Sequence, residues 1–171
     1  AITLLNHCDR VKVACLAQLI NVIAPIFTEP NKGAYKQAIY YPFQDVSLFG
    51  RGKVLNPVIH CDNKVTEKYG EIPAAIFSTV YNEEKEEVTV FALNTSKSEN
   101  CQTEINLWNF GNTEMFYWTE LSGDDLGARI TWENQKAVCP VNKEIVRVEN
   151  CKCKVELKKA SWNVIRFKIK K

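Results

Sequence analysis

Apolar and polar positions along this chain fall into two textures. In the first fifty residues they suit helices and loops. Ile2 and Leu5 share a face at helical spacing, so residues 1–9 are predicted as the last turns of a helix. Residues 10–17 admit two readings. Val11, Ala14, Cys15 and Leu19 fit a helical period, whereas Val11-Lys-Val-Ala-Cys15 fits a short buried strand, and periodicity alone does not arbitrate. Pro25 and Glu29-Pro-Asn-Lys-Gly33 read as loop. Residues 34–49 read as helix, with a kink or a late start at Pro42 because the residue before a proline avoids helical geometry. Gly50 and Gly52 form its stop.

After Gly52 the period shortens to two. Strands are predicted over residues 53–61, 76–81, 88–93, 104–110, 115–121, 145–148, 154–157 and 161–169. Asn82-Glu-Glu-Lys-Glu-Glu87 separates the second from the third and reads as a hairpin turn longer than the tightest kind. In the last strand Ile165, Phe167 and Ile169 alternate with Arg166, Lys168 and Lys170, giving one dry and one wet face. Seven or eight short strands with little helix between them predict an antiparallel sandwich. The expected fold is therefore mainly β: an antiparallel β-sandwich preceded by an α/β segment. No repeat or low-complexity tract appears.

Composition narrows the function classes. A chain of 171 residues suggests one to two compact units and should bury about 70% of its unfolded surface. A formal charge of +2 is too small to argue for nucleic acid. Arg166, Lys168, Lys170 and Lys171 make a basic end that reads as the wet face of a strand rather than a phosphate site. No apolar run reaches the roughly 20 residues a membrane helix needs, and Gln18 and Pro25 interrupt the best candidate. His7, Asp9, Arg10 and Lys12 fall where a leader would need apolar residues. Because the chain opens on Ala1 inside the end of a helix, it is expected to be a piece of a longer protein, which leaves an upstream leader open. The cysteines at 8, 15, 61, 101, 139, 151 and 153 are odd in number and show no paired metal-ligand spacing. Cys151 and Cys153, two apart, would share one strand face. With only His7 and His60 beside them, no metal or other cofactor is expected. The thiols are expected to be reduced and mostly buried, which fits the cytoplasm.

The most apolar stretch, residues 3–29, carries a polar residue near its centre, Gln18, with Asn21 close behind. Burying an amide costs on the order of 1–3 kcal/mol unless something satisfies it. A core glutamine bonded to nearby backbone is one reading. A ligand site is the other. From Leu4 to Glu29 the string Leu-Leu-Asn-His-Cys-Asp-Arg-Val-Lys-Val-Ala-Cys-Leu-Ala-Gln-Leu-Ile-Asn-Val-Ile-Ala-Pro-Ile-Phe-Thr-Glu resembles, nearly residue for residue, a segment of glycoside hydrolase family 51, the α-L-arabinofuranosidases. The Tyr35–Gly52 stretch is similar to another, departing from the family pattern at Tyr35, Lys36, Asp45 and Phe49. Tyr81–Asn94, the Asp124-Asp-Leu-Gly-Ala-Arg run and the closing Ser161-Trp-Asn-Val-Ile-Arg166 resemble its C-terminal domain. Ile130 and Gln135 depart from the pattern there. The likeness spans essentially the whole chain, in order.

The resemblance implies that residues 10–17 are the last strand of a (β/α)8 barrel, with residues 1–52 the terminal strand and helix of that barrel and 53–171 a jelly-roll-like sandwich domain. It implies a retaining enzyme that removes terminal α-L-arabinofuranosyl groups from arabinan and arabinoxylan, and a homo-oligomer. Such chemistry needs two carboxyl groups about 5–5.5 Å apart. In the family both are glutamates on earlier barrel strands, and Glu29, Glu71 and Glu120 do not match them. No catalytic residue is therefore assigned in this chain, which is expected to be inactive alone and to brace the barrel. Gln18 is the family substrate-binding residue that carries over. An amide both donates and accepts, so it can read a sugar hydroxyl without adding charge. Asn21 could orient it, while Asp9 and Arg10 would fix the approach to the strand. The alternative is a non-catalytic carbohydrate-binding sandwich using Trp108, Trp118, Trp132 or Trp162. Against it, these tryptophans read as core or domain-interface residues. The orphaned barrel piece should fold onto the sandwich, self-associate or be poorly ordered.

Overall fold

Strands with apolar residues on both faces build the centre of the molecule, and different partners cover the two faces. The computed structural model describes residues 1–170, so Lys171 of the basic end lies outside the described residues. In chain order the elements are α1 (Ile2–Asn6), β1 (Ile26–Glu29), β2 (Gly33–Lys36), α2 (Tyr40–Phe49), β3 (Lys53–Leu55), β4 (Asn63–Thr66), β5 (Gly70–Pro73), β6 (Ala75–Asn82) and β7 (Glu87–Asn94). Then follow β8 (Cys101–Asn106), a 3-10 turn (Trp108–Phe110), β9 (Thr113–Leu121), β10 (Val141–Asn142), β11 (Lys152–Leu157) and β12 (Trp162–Ile169). The fold is mainly β and antiparallel.

Six strands form one sheet in the order β10-β9-β12-β7-β6-β3. On one face Val88, Val90, Ala92, Met115, Trp118, Ile165 and Phe167 meet Cys153, Val155 and Leu157 of β11. β11 pairs with β8 as a separate ribbon, from Lys152 opposite Asn106 to Leu157 opposite Cys101. Burial alternates strictly along β11, so the ribbon is a lid with one dry side. On the other face Val80, Phe91, Leu121, Trp162 and Val164 receive Ile2 and Leu5 of α1 and Tyr41, Val46 and Phe49 of α2. Phe91, Leu157, Val164, Ile165 and Phe167 are fully buried, each contributing roughly 1.5–3 kcal/mol of hydrophobic stabilisation.

Hairpin β6–β7 turns through Glu83–Glu86, with Asn82 opposite Glu87 and the Asn82 side chain accepting from the Lys85 amide at 2.9 Å. This matches the long polar turn read from the sequence. The stop after α2 is also as expected. At Gly52 (φ +142°) a Cβ would stand 2.2 Å from the Tyr81 carbonyl oxygen, so only glycine lets the chain pass from α2 to β3 there.

Several expectations are corrected. Residues 10–17 form neither strand nor helix, and the isolated parallel bridge Ile20–Ile26 is the nearest ladder contact. A buried parallel strand needs hydrogen-bonded neighbours on both sides, and among the described residues none flanks this segment. The helix read over 34–49 begins only at Tyr40, because Gly33–Lys36 pairs with Ile26–Glu29 as a hairpin. Pro42 then sits in the first turn, where a missing N–H costs nothing. The strand read over 53–61 stops at Leu55, just before Asn56 and Pro57. Hairpin β4–β5 adds two strands that the sequence pattern does not reveal, and residues 145–148 make no strand. Strand β12 has no wet face along most of its length. Arg166 lies beneath α2, its guanidinium 4.2 Å from the Phe49 ring centre and 4.8 Å from that of Phe116, with Glu87 as its ion partner. Phe116 is the extra residue of a bulge opposite Arg166 and Phe167. The thiols are free, but only Cys153 is buried, while Cys8 and Cys15 are exposed. Cys151 precedes the strand with φ +61°, so it does not share the Cys153 face.

Candidate functional site

The loop between α1 and β1 carries the candidate binding residue. Its first turn is closed by the Arg10 and Val11 amides donating to the His7 carbonyl at 3.1 and 2.8 Å. Asp9 and Arg10 sit exposed in that turn. Beyond it the chain runs without regular structure to Gln18, Asn21 and Val22, which have φ values of +53°, +62° and +60°. Left-handed backbone suits asparagine. For glutamine and especially β-branched valine it stores strain on the order of 1–3 kcal/mol per residue.

Asn21 anchors the loop. Its Oδ1 accepts from the Thr28 amide at 2.7 Å, and its Nδ2 donates to the Thr28 hydroxyl at 3.0 Å. Its own amide donates to the Ile26 carbonyl at 2.8 Å. The amide read as an orienter for Gln18 is thus spent on β1. Gln18 itself is exposed, not buried, and its side chain has no hydrogen-bond partner among the described residues. The loop holds out an uncharged group that can donate and accept, on backbone fixed three residues downstream.

Apolar side chains surround it. Val13 is 80% exposed, Leu19 62%, Val22 77% and Ile23 75%. Such a run of uncovered hydrophobic surface marks a contact face. Next to it, hairpin β1–β2 packs on the loop after β9 through Phe27, Tyr35 and Trp132. The Phe27 and Tyr35 rings are 5.4 Å apart, and Tyr35 meets Trp132 edge-on at 4.8 Å.

Among the described residues, the three glutamates weighed above do not form an acid–nucleophile pair beside Gln18. Glu29, Glu71 and Glu120 lie on β1, β5 and β9, in three different sheets. Glu29 pairs with Lys32 at 2.9 Å. Glu120, the one buried carboxylate among the described residues, accepts from Ser122 at 3.0 Å and faces Lys143 at 3.5 Å. Among the described residues no cluster of three His, Cys, Asp or Glu side chains could hold a metal ion. The perturbed groups are structural. Burial raises the Asp45 carboxyl above its ordinary range, against the lowering effect of the hydrogen bond from Trp162 Nε1 at 2.9 Å. Burial, with Glu104 nearby, pushes the Cys153 thiol up to about 11. Of the four tryptophans, Trp118 and Trp162 are core and Trp132 is half-buried, but Trp108 is 74% exposed.

The sequence model of the α-L-arabinofuranosidase C-terminal domain matches residues 1–161. The chain belongs to this family. Over 167 residues it is 42% identical to an intracellular exo-α-(1→5)-L-arabinofuranosidase from Acetivibrio thermocellus, covering 97% of this chain and 33% of that protein. A Bacillus subtilis protein of the same description is 38% identical over 167 residues, again with 33% of its length covered. The chain thus spans about a third of the length of these curated relatives. Among solved structures, a family 51 α-L-arabinofuranosidase from Bifidobacterium longum superposes with a TM-score of 0.90 at 32% identity, covering 97% of this chain and 32% of that one. A GH51 arabinofuranosidase from Xanthomonas axonopodis pv. citri shares the fold, with a TM-score of 0.84 at 19% identity and 98% and 33% coverage. For this arabinofuranosidase C-terminal domain, the exposed Gln18 and its apolar surroundings are the features the sandwich itself does not use.

Proposed function

We propose that the chain is the C-terminal portion of a retaining α-L-arabinofuranosidase that removes terminal non-reducing α-L-arabinofuranosyl groups from arabinan- and arabinoxylan-type glycans. The family match over residues 1–161 carries this reading. In it, residues 1–52 complete the catalytic barrel and 53–171 are the sandwich that braces it. The uncovered Val13, Leu19, Val22 and Ile23 support that division, since they are the side chains a surrounding barrel would cover. α1 and α2, seated on the sheet through Ile2, Leu5, Val46 and Phe49, would fix the sandwich to the barrel wall. Gln18 is proposed to hydrogen-bond the bound arabinose beside carboxylates contributed by the rest of the enzyme. Its exposure and its lack of a partner suit that role. The parent enzyme is proposed to be cytoplasmic and homo-oligomeric. Free cysteines and the intracellular relatives support the compartment, and no helix among the described residues is long and apolar enough to cross a membrane.

Two measurements test this. The purified 171-residue chain is expected to release no arabinose from arabinan or an aryl arabinofuranoside, and measurable release contradicts the reading. In the full-length enzyme Gln18→Ala is expected to lower kcat/KM by about 10- to 100-fold, the scale of one or two lost hydrogen bonds in the transition state. The same change in this chain should leave unfolding within about 0.5 kcal/mol of wild type, because Gln18 touches no polar partner. Unchanged kcat/KM would remove Gln18 from the site.

A further inference from the structure

We propose a second site, remote from Gln18 in the fold, at the end of the sandwich where the 3-10 turn meets the loop before β11: a binding site for an uncharged saccharide chain, with Trp108 as its platform. Three observations carry it. Trp108 is 74% exposed, although its neighbours Leu107 and Phe110 are both packed into the core. The turn therefore displays the indole instead of tucking it away. The display is rigid: the Asn106 side chain accepts from the Trp108 amide at 3.0 Å, the Leu107 amide donates to the Cys151 carbonyl at 2.7 Å, and the Phe110 ring lies 5.3 Å from Tyr81.

In the same loop pair, an open hollow of about 290 Å³ is lined by Gly111, Asn112, Thr113, Val148, Asn150 and Cys151. Three of its polar side chains make no hydrogen bond among the described residues. Thr113 is only 6% exposed, and its hydroxyl, sealed from solvent, has no hydrogen-bond partner, which is rare for a buried polar group. The side-chain amides of Asn112 and Asn150, both exposed, also make no hydrogen bond among the described residues. Consecutive left-handed residues, Asn150 and Cys151 (φ +50° and +61°), shape one wall, and Cys151 Sγ is held 3.2 Å from the Gly111 carbonyl.

The lining chooses the ligand class. It contains no charged side chain; of the charged residues flanking it in sequence, Arg147 faces Glu149 at 3.6 Å, Lys152 pairs with Glu104 and Lys170 with Glu114. An anion or a basic peptide would find no counter-charge. An exposed indole carried on the turn that leads into these neutral amides, with the Gly111 amide donating to the Trp108 carbonyl at 3.2 Å, suits a sugar, whose C–H face stacks on an aromatic ring while its hydroxyls exchange hydrogen bonds with groups that both donate and accept. The site would hold a polymer strand near the enzyme without taking part in cleavage.

Affinity electrophoresis of the full chain in native gels containing linear arabinan or xylan tests this, with tryptophan emission followed in parallel. Wild type is expected to be retarded and its emission shifted to the blue as the one strongly exposed indole is covered. Retardation should persist in about 0.5 M salt, because no ion pair is involved. Trp108→Ala should weaken binding at least 10-fold, and Trp108→Phe should restore most of it. Wild-type mobility unchanged by either polymer overturns the site, as does equal retardation of wild type and W108A. Arabinan as a probe rests on the function proposed above. Binding to xylan alone, lost in W108A, supports the site and counts against arabinan as the polymer.

Discussion

Asn94, at the end of β7 and 1% exposed, holds a small network together by itself. Its Nδ2 donates to the Glu99 and Leu157 carbonyls at 2.9 and 3.1 Å, and its Oδ1 accepts from the Ser96 amide at 2.9 Å. One side chain thus ties the main sheet to the end of β11 and to the lead into β8. Asn94→Ala should destabilise the fold by about 1–3 kcal/mol in urea unfolding, since it leaves the buried Leu157 carbonyl and two partly buried backbone groups without their partner. Asp45 acts in the opposite sense. Its carboxyl is raised by burial between α2 and the sheet, so the folded chain holds the proton more tightly than the unfolded one. Stability from this group is greatest below the ordinary carboxyl value of 3.8 and declines as pH rises through the raised one. Asp45→Asn keeps an acceptor for Trp162 Nε1 and removes the charge. The variant should melt higher than wild type at pH 7, and the difference should shrink toward pH 4. Equal melting temperatures at both values would show that solvent already compensates the charge.

At the scale of single elements, the β8–β11 ribbon shows what alternation can and cannot specify. Val155 and Leu157 point down while Lys154 and Glu156 point out, and β11 forms near its expected place because that pattern fits only one face. Removing the ribbon's deepest side chain with Leu157→Ala, at a site with no exposed surface, should cost about 2–5 kcal/mol by calorimetry or urea titration. Residues 10–17 have an equally apolar pattern and form no element. A buried strand takes its shape from flanking strands, and none is present among the described residues, so the local pattern has nothing to pair with. The 34–39 stretch departs from helix for a different reason. Gly33 in left-handed geometry (φ +94°) turns the chain back onto β1 before a helix can start. Lys53–Leu55 is shorter than expected because Asn56 and Pro57 follow it directly.

Across the whole molecule, the sandwich is legible in the sequence because its strands carry their own signal. β6, β7, β9 and β12 read as strands almost to their ends, and the hairpin turn at 83–86 announces itself by charge. The helical cover is not legible. Nothing in the spacing of Ile2, Leu5, Val46 and Phe49 says that they seat on the far face of the sheet, and Arg166 reads as solvent-bound unless α2 is known to lie over it. Gln18 stands out in the sequence as an oddity, a polar residue in an apolar run. Trp108 does not, since in sequence it looks no different from Trp118 or Trp162, and only the anchoring of Leu107 and Phe110 beside it turns it outward. Finally, β12 lies in the interior of the main sheet, hydrogen-bonded to β9 on one side and β7 on the other. As the chain leaves the ribosome, the β7–β6–β3 half and the β9–β10 half must wait as two open-edged fragments until this strand emerges to join them. Their exposed edges then invite aggregation, so the last of the six strands to be synthesised is also the keystone.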